Sequence, residues 1–295
     1  MKNTSFPTEE ERDDNLFVVQ NAIEAIQAWK SQQIRMVHQD ECRLKVTESL
    51  SENTVLVVQD FAMKFLPAEY REAQSDFFGK RGISWHISVC MRKRNDNLEA
   101  QTLVHILESG LQDSIAVVSM IEHVLKSLKT QHPELTDAYF RQDNAGCYHC
   151  ANTILSCNAL SQKTGIRIRQ VDFSDPQGGK GACDRKAAQV KSHVRRFIDE
   201  GNAVTTPYEF LEAILSHGGI GGVRVVVVRS GQERSGASKK TTVKWEGISS
   251  FNNFLFTPSG VTAFRACKVG NGRLFQYSAF KGICGFNFLT TNLNR

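Results

Sequence analysis

The stretch "TVLVVQDF" at residues 54–61 is a continuous apolar run that ends in an acid. A strand that is apolar on both faces must be covered on both faces, which calls for a sheet held between two layers of helix. Two more β-rich runs follow at once, "GISWHISVCMRK" and "EAQTLVHILES". Beyond Gln112-Asp113-Ser114, the residues Ile115, Val118, Ile121, Val124, Leu125 and Leu128 recur at helical spacing and predict a helix that ends before Pro133. "TDAYFRQDN" predicts a fourth strand, residues 146–161 a helix, and "IRIRQVDFS" a fifth strand. Ala187, Val190, Val194 and Phe197 or Ile198 form the buried stripe of one more helix, which stops at Gly201. The order β-β-β-α-β-α-β-α predicts an α/β fold. Three strands form an antiparallel meander, later strands join through helical crossovers, and a mixed five-stranded sheet results with helices on both faces.

The flanks differ in character. In residues 1–53, Thr8 followed by Glu11 is a capping-box pattern, and Leu16, Val19, Ile23, Ile26 and Trp29 make one apolar stripe on a helix over 8–47. After the central unit at 54–201, residues 202–295 read as a small basic α+β region. Its elements are a helix at "TPYEFLEAILSH", the Gly-rich "GGIGG", and short strands at "VRVVVVR", "TTVKWEGI" and "FRACKVG".

No apolar run approaches the ~20 residues that span a bilayer, and the acidic start "MKNTSFPTEEERDD" is unlike a secretion signal or an Arg-rich transit peptide. The expectation is a cytosolic or nuclear protein with no membrane partner. Its eight cysteines are then free thiols or metal ligands. The net charge of +5 is modest, but eight Lys or Arg against three Asp lie between Arg167 and Arg196, and six against Glu233 alone between Arg224 and Lys244. Such stretches suit a polyanion or a solvated basic face.

Three acids sit at the ends of elements: Asp60 closes the first strand, Asp143 the fourth, and Asp184 opens the helix after the fifth. Each alone is a common turn or cap residue. Strands one and four are expected to be neighbours, so the three can converge. Converging carboxylates repel unless a cation lies between them. Hard oxygen donors suit Mg²⁺ or Mn²⁺, the ions of phosphodiester chemistry.

The element order, with acids at these stations, resembles the RNase H-like fold of DDE/D transposases and retroviral integrases. In that family the third acid opens a helix after a loop with Pro-Gln, small residues and Gly. This chain has Pro176-Gln177-Gly178-Gly179-Lys180-Gly181-Ala182-Cys183-Asp184, with 82 residues between Asp60 and Asp143 and 40 between Asp143 and Asp184. The blocks "VVQDFAMKFLP", "GKRGISWH", "RQDNAGCYH" and "DPQGGKGACDRKAAQVK" also look like transposase-derived animal proteins. The resemblance covers residues 54 to 201. It implies an RNase H-like catalytic domain there, Asp60, Asp143 and Asp184 as catalytic metal ligands, DNA as the partner, a homo-oligomer and a nuclear location. It further implies phosphate contacts from Lys191, then Lys180 and Arg185. The departure is Asp where integrases carry Glu, a shorter side chain that asks for a closer helix. The alternative is a transposon-derived DNA-binding or interaction protein without catalysis, since no helix-turn-helix or paired Cys/His finger is evident. An RNA-directed nuclease on the same fold is a third reading.

The glycine loop lacks the G-x-x-x-x-G-K-[ST] spacing of a nucleotide cradle and reads as a tight connection that sets Asp184 at the sheet edge. "CYHC" puts Cys147 and Cys150 at zinc-like spacing, but a second ligand pair is wanting beyond His38 and Cys42, so structural zinc is discounted. His149, just past the second acid, is placed to touch a phosphate or an attacking water, or else to be a hydrogen-bonded histidine at a helix start.

Overall fold

β1 (Thr54–Phe65) runs through the middle of the molecule, with Val55, Leu56 and Val57 buried in succession. The structure, a computed structural model, describes residues 6–108, 110, 112–174, 181–229 and 243–280. β2 (Ile83–Arg94) pairs antiparallel with β1, and β3 (Asn97–Leu107) pairs antiparallel with β2 through a tight turn at Asn95 and Asp96, both at left-handed φ. β4 (Asp137–Asp143) lies parallel to β1 on its other side, and β5 (Arg167–Ser174) lies parallel to β4. The helices are α1 (Glu9–Glu48), the single turn α2 (Gln74–Phe77), α3 (Ser114–Gln131), α4 (Ala151–Thr164), α5 (Ala182–Asp199) and α6 (Pro207–Leu215). Apart from the single turn α2 between β1 and β2, the predicted order of the central elements is the observed one. α4 begins later than expected, because residues 145–150 turn before Cys150 caps the helix.

The sheet is larger than the five strands expected. It has nine, in the order β6-β3-β2-β1-β4-β5-β7-β8-β9. β6 (Val223–Val228) adds parallel to β3 at one edge. At the other, β7 (Asn253–Phe256), β8 (Gly260–Phe264) and β9 (Arg273–Gln276) extend β5 as an antiparallel meander. The chain after residue 202 therefore covers both flanks of the central strands, whose edges would otherwise be open to pairing with other chains. Two expected strands are absent. Residues 243–248 form no strand, since Trp245 is buried against Phe254, Phe275 and Phe280 and Gly247 turns the chain at left-handed φ; residues 241–242 lie outside the described ones. Residues 265–270 bend at Lys268 and Gly270, both at positive φ.

Two layers cover the sheet. α3 and α4 bury one face, with Val124, Leu125, Leu128, Ile154, Leu155 and Leu160 in the core against Val55, Val57 and Phe140. α5 and α6 bury the other, with Val190, Val194 and Phe210 against Trp85, Ile87 and Ile106. The C-terminal end of α1 joins this second layer through Val46, beside Leu50 and Leu56. Among the described residues no helix is long and apolar enough to cross a membrane.

α1 is anchored by a buried polar clamp. Gln39 donates from Nε2 to the carbonyls of Phe173 (2.9 Å) and Asn252 (2.8 Å), and its Oε1 accepts the Cys267 N–H. Nearby, the buried Asp172 accepts from Gln170 Nε2 (2.6 Å), Asn253 Nδ2 and the Cys42 thiol. Burial raises the Asp172 pKa, while these donors and the adjacent Arg141 guanidinium oppose the rise. Removing such a carboxylate strands its donors in the core. Asp172→Ala is therefore expected to cost about 3 kcal/mol of unfolding free energy in urea titrations. Asp172→Asn, which keeps a carbonyl acceptor, should cost about half as much.

Candidate active site

Alternation along the strands decides which side chains meet. On β1, Val55 and Val57 pack under α3 and α4, whereas Leu56 and Val58 face α1 and α5. Asp60 stands two residues beyond Val58 and so takes the second face. On β4, Ala138 and Phe140 pack under α3 and α4, while Arg141 reaches α1 by donating to the Gln39 carbonyl at 2.8 Å. Asp143, two residues beyond Arg141, shares that face. Parallel pairing between the strands runs out at Gln59 opposite Gln142, so the next residues, Asp60 and Asp143, emerge side by side on neighbouring strands.

α5 supplies the third acid. Asp184 lies in its first turn, where Oδ2 accepts the Gly181 N–H at 2.8 Å. The preceding residue, Cys183, is buried, and its thiol donates to the carbonyls of Val58 (3.3 Å) and Ile87 (3.7 Å). The start of α5 is thereby pinned to β1 two residues before Asp60. The electrostatics agree: the pKa of the half-buried Asp60 is pushed up to about 7, by burial first and then by repulsion from Asp143 and Asp184. Asp143 and Asp184 are exposed, and Asp143 Oδ1 accepts the Asn144 N–H at 2.7 Å.

Asp60 does not end its strand as expected. β1 continues to Phe65 on β2 alone, with an irregularity between Ala62 and Phe65; what ends just before Asp60 is the pairing with β4. Arg185 is exposed beside Asp184, and Lys191 is half-buried two turns further along α5. Lys180 lies outside the described residues. His149 is not turned to the acids. Its ring stacks on Phe173 at 4.3 Å, its Nδ1 pairs with Asn144 Oδ1, and its Nε2 pairs with the Ile248 carbonyl at 3.1 Å. Phe173 belongs to the core under α3 and α4, across the sheet from the carboxylates, and both ring nitrogens are engaged. His149 therefore ties the turn before α4 to the C-terminal segment and leaves no nitrogen for a phosphate.

Sequence reading overlooked the residues that hold the two strands in register. Gln142 donates from Nε2 to Gln59 Oε1 at 2.9 Å, and Gln59 donates from Nε2 to Ser88 Oγ at 3.0 Å. All three are buried on the face away from the acids. The signal was the repeated Gln-Asp pair in "VVQDF" and "FRQDN", each Gln directly before its acid.

The donors are all carboxylate oxygens, a set that suits Mg²⁺ or Mn²⁺, and the repulsion on Asp60 is of the kind a divalent cation relieves. The spacing is open, since among the described residues no three His, Cys, Asp or Glu groups close about one point.

A family model matches residues 39–254, from the anchored end of α1 to β7. The chain belongs to the family described as Domain of unknown function (DUF8701). The DUF8701 region takes in all three acids and both core layers. No curated protein matches the chain. Among solved structures, the human cytomegalovirus terminase nuclease domain is similar at 14% identity and a TM-score of 0.25, over 62% of this chain and 68% of that one. Its manganese-soaked, inhibitor-bound form is similar at 12% and 0.23, over 64% and 71%. At such scores the likeness says nothing about chemistry.

An aspartate whose folded-state pKa is raised weakens the fold as it ionises. Stability is expected to fall as pH rises from the usual aspartate range to about 7, and to level off above it. Asp60→Asn should raise stability by about 1–3 kcal/mol at pH 8 and leave it nearly unchanged at pH 4, as read by urea melts; partial exposure keeps this below the full shift.

Proposed function

We propose that the protein is a metal-dependent nuclease of the transposase and integrase kind, acting on DNA phosphodiester bonds by hydrolysis or strand transfer. The observation that supports this most is the convergence of Asp60, Asp143 and Asp184 where the pairing of two parallel strands ends and α5 begins, with Asp143 and Asp184 repelling the Asp60 carboxylate. These three would hold Mg²⁺ or Mn²⁺, which when bound polarises the phosphate and activates the attacking oxygen. The chain's own contributions are distinct. Asp60 must be ionised to serve as a ligand, and without an ion that requires a pH near 7 or above. Cys183 fixes the start of α5 and hence the approach of Asp184. Lys180, Arg185 and Lys191 hold the DNA backbone as point charges, which gives binding a steep salt dependence. The setting is nuclear, and the working form a homo-oligomer.

A second reading has its own support. Asp184 Oδ2 is already used by the Gly181 N–H and the three acids stand open, which suits a DNA-binding module that no longer cuts.

Nicking of supercoiled plasmid in Mg²⁺ or Mn²⁺ separates the two. The nuclease reading expects metal-dependent cutting that falls by more than about 100-fold in Asp143→Asn, with binding retained. Lys191→Ala should lower the slope of log affinity against log salt by about 1. If neither wild type nor Asp143→Asn cuts, while both bind DNA with equal salt dependence, the binding module stands instead.

A further inference from the structure

α1 is 40 residues long, yet its only buried residues are Gln39, Cys42 and Val46. These three sit on the side that docks on the sheet. At 100° per residue, a second row of apolar side chains lies nearly opposite: Val37 and Leu44 are each two residues, or about 200°, from Gln39 and Cys42. The row continues toward the N-terminus through Ile26, Ile23, Val19 and Leu16, on the part of the helix that projects from the body. Leu16, Ile23, Ile26, Val37 and Leu44 are 44%, 45%, 52%, 58% and 46% exposed, and Val19 is half-exposed. In water a helix draws most of its stability from burying such a face. The described residues of the body leave this one exposed.

Spacing and charge point to the occupant. Leu16, Val19, Ile23 and Ile26 are separated by three, four and three residues, a seam of coiled-coil type. That spacing reads the same in both directions, so two antiparallel copies match layer for layer, as a two-fold interface requires. Charge chooses the direction. Residues 9–14 hold five carboxylates and Arg12, which is ion-paired with Asp13 at 3.1 Å. Residues 25–36 hold Lys30 and Arg35 and no acid. Parallel helices would lay the acidic end against itself; antiparallel ones lay it against the basic stretch.

We infer that the protein forms a homodimer through an antiparallel pairing of the projecting half of α1 with α1 of a second copy. The pairing centres near residue 21. Leu16 then packs against Ile26 of the other copy and Val19 against its Ile23, while residues 9–14 lie opposite residues 28–33. The two sheets, attached beyond residue 37, stand at opposite ends of the paired helices without meeting. This inference gives the proposed homo-oligomer an interface; a monomer would remove both, while the three-acid chemistry is read separately by plasmid nicking and does not depend on it.

Sedimentation equilibrium of the full chain at about 10–50 μM is expected to give twice the 33.0 kDa chain mass. Ile23→Asp with Ile26→Asp should give a monomer; both positions are exposed and outside the core, so the urea transition of the body should be unchanged, while circular dichroism loses helical signal from the unpaired segment. Orientation is read by disulfide trapping. A mixture of Leu16→Cys and Ile26→Cys chains should cross-link to each other under oxidation that leaves the unsubstituted protein uncross-linked, and neither should cross-link to itself. A monomeric wild type overturns the inference, and so does a dimer that survives the double substitution. Self-linking of Leu16→Cys overturns the antiparallel arrangement.

Discussion

The parallel register of β1 on β4 is the constraint from which the rest of the molecule follows. Gln59 faces Gln142 across that pair, and the chain of amide bonds from Gln142 through Gln59 to Ser88 locks three strands at one level. A slip of one residue would turn every side chain of β1 to the opposite face. Asp60 would then enter the core under α3 and α4, and Gln59 would take its place beside Asp143. The buried amides and the carboxylates are thus two consequences of one register, on opposite faces of the same strand ends.

The second layer is organised around the same strands. α5 returns across β1 and β2, and its first turn is fixed by a thiol bonded to carbonyls of both. α1 reaches β5 through Gln39 and Cys42, beside the buried Asp172. The carboxylate cluster lies between these two attachments, open to solvent at Asp143 and Asp184 and half-closed at Asp60. Placing three acids there weakens the fold at neutral pH, where Asp60 ionises against its neighbours. A site that accepts such a cost is one where charge is wanted for something other than stability.

Most of the central architecture was legible in the residues. The continuous apolar run at residues 55–58 and the β-rich, partly alternating run at residues 83–89 mark strands, and the stripes on α3 and α5 mark helices with one buried side. The C-terminal strands were harder. β7, β8 and β9 have four or five residues each, too few for periodicity to separate from loop, and "TTVKWEGI" has strand-like composition but is held by the burial of Trp245. His149 reads in one dimension as adjacent to Asp143. It is separated from the acids because the turn at 145–150 carries it to the other side of the sheet.

The sequence by itself determined the order of the central elements, the cap at Thr8, and the placing of Asp143 at the end of a strand and Asp184 at the start of a helix, because these depend on neighbours within a turn or a strand. Only the tertiary structure decided that the C-terminal strands complete both edges of one sheet, that Asp60, Asp143 and Asp184 share a face while His149 does not, and that the apolar row of α1 points away from the body. Pairing partners, strand register and the side of a helix that meets the core are set by contacts between residues far apart in the chain. Local pattern carries no record of them.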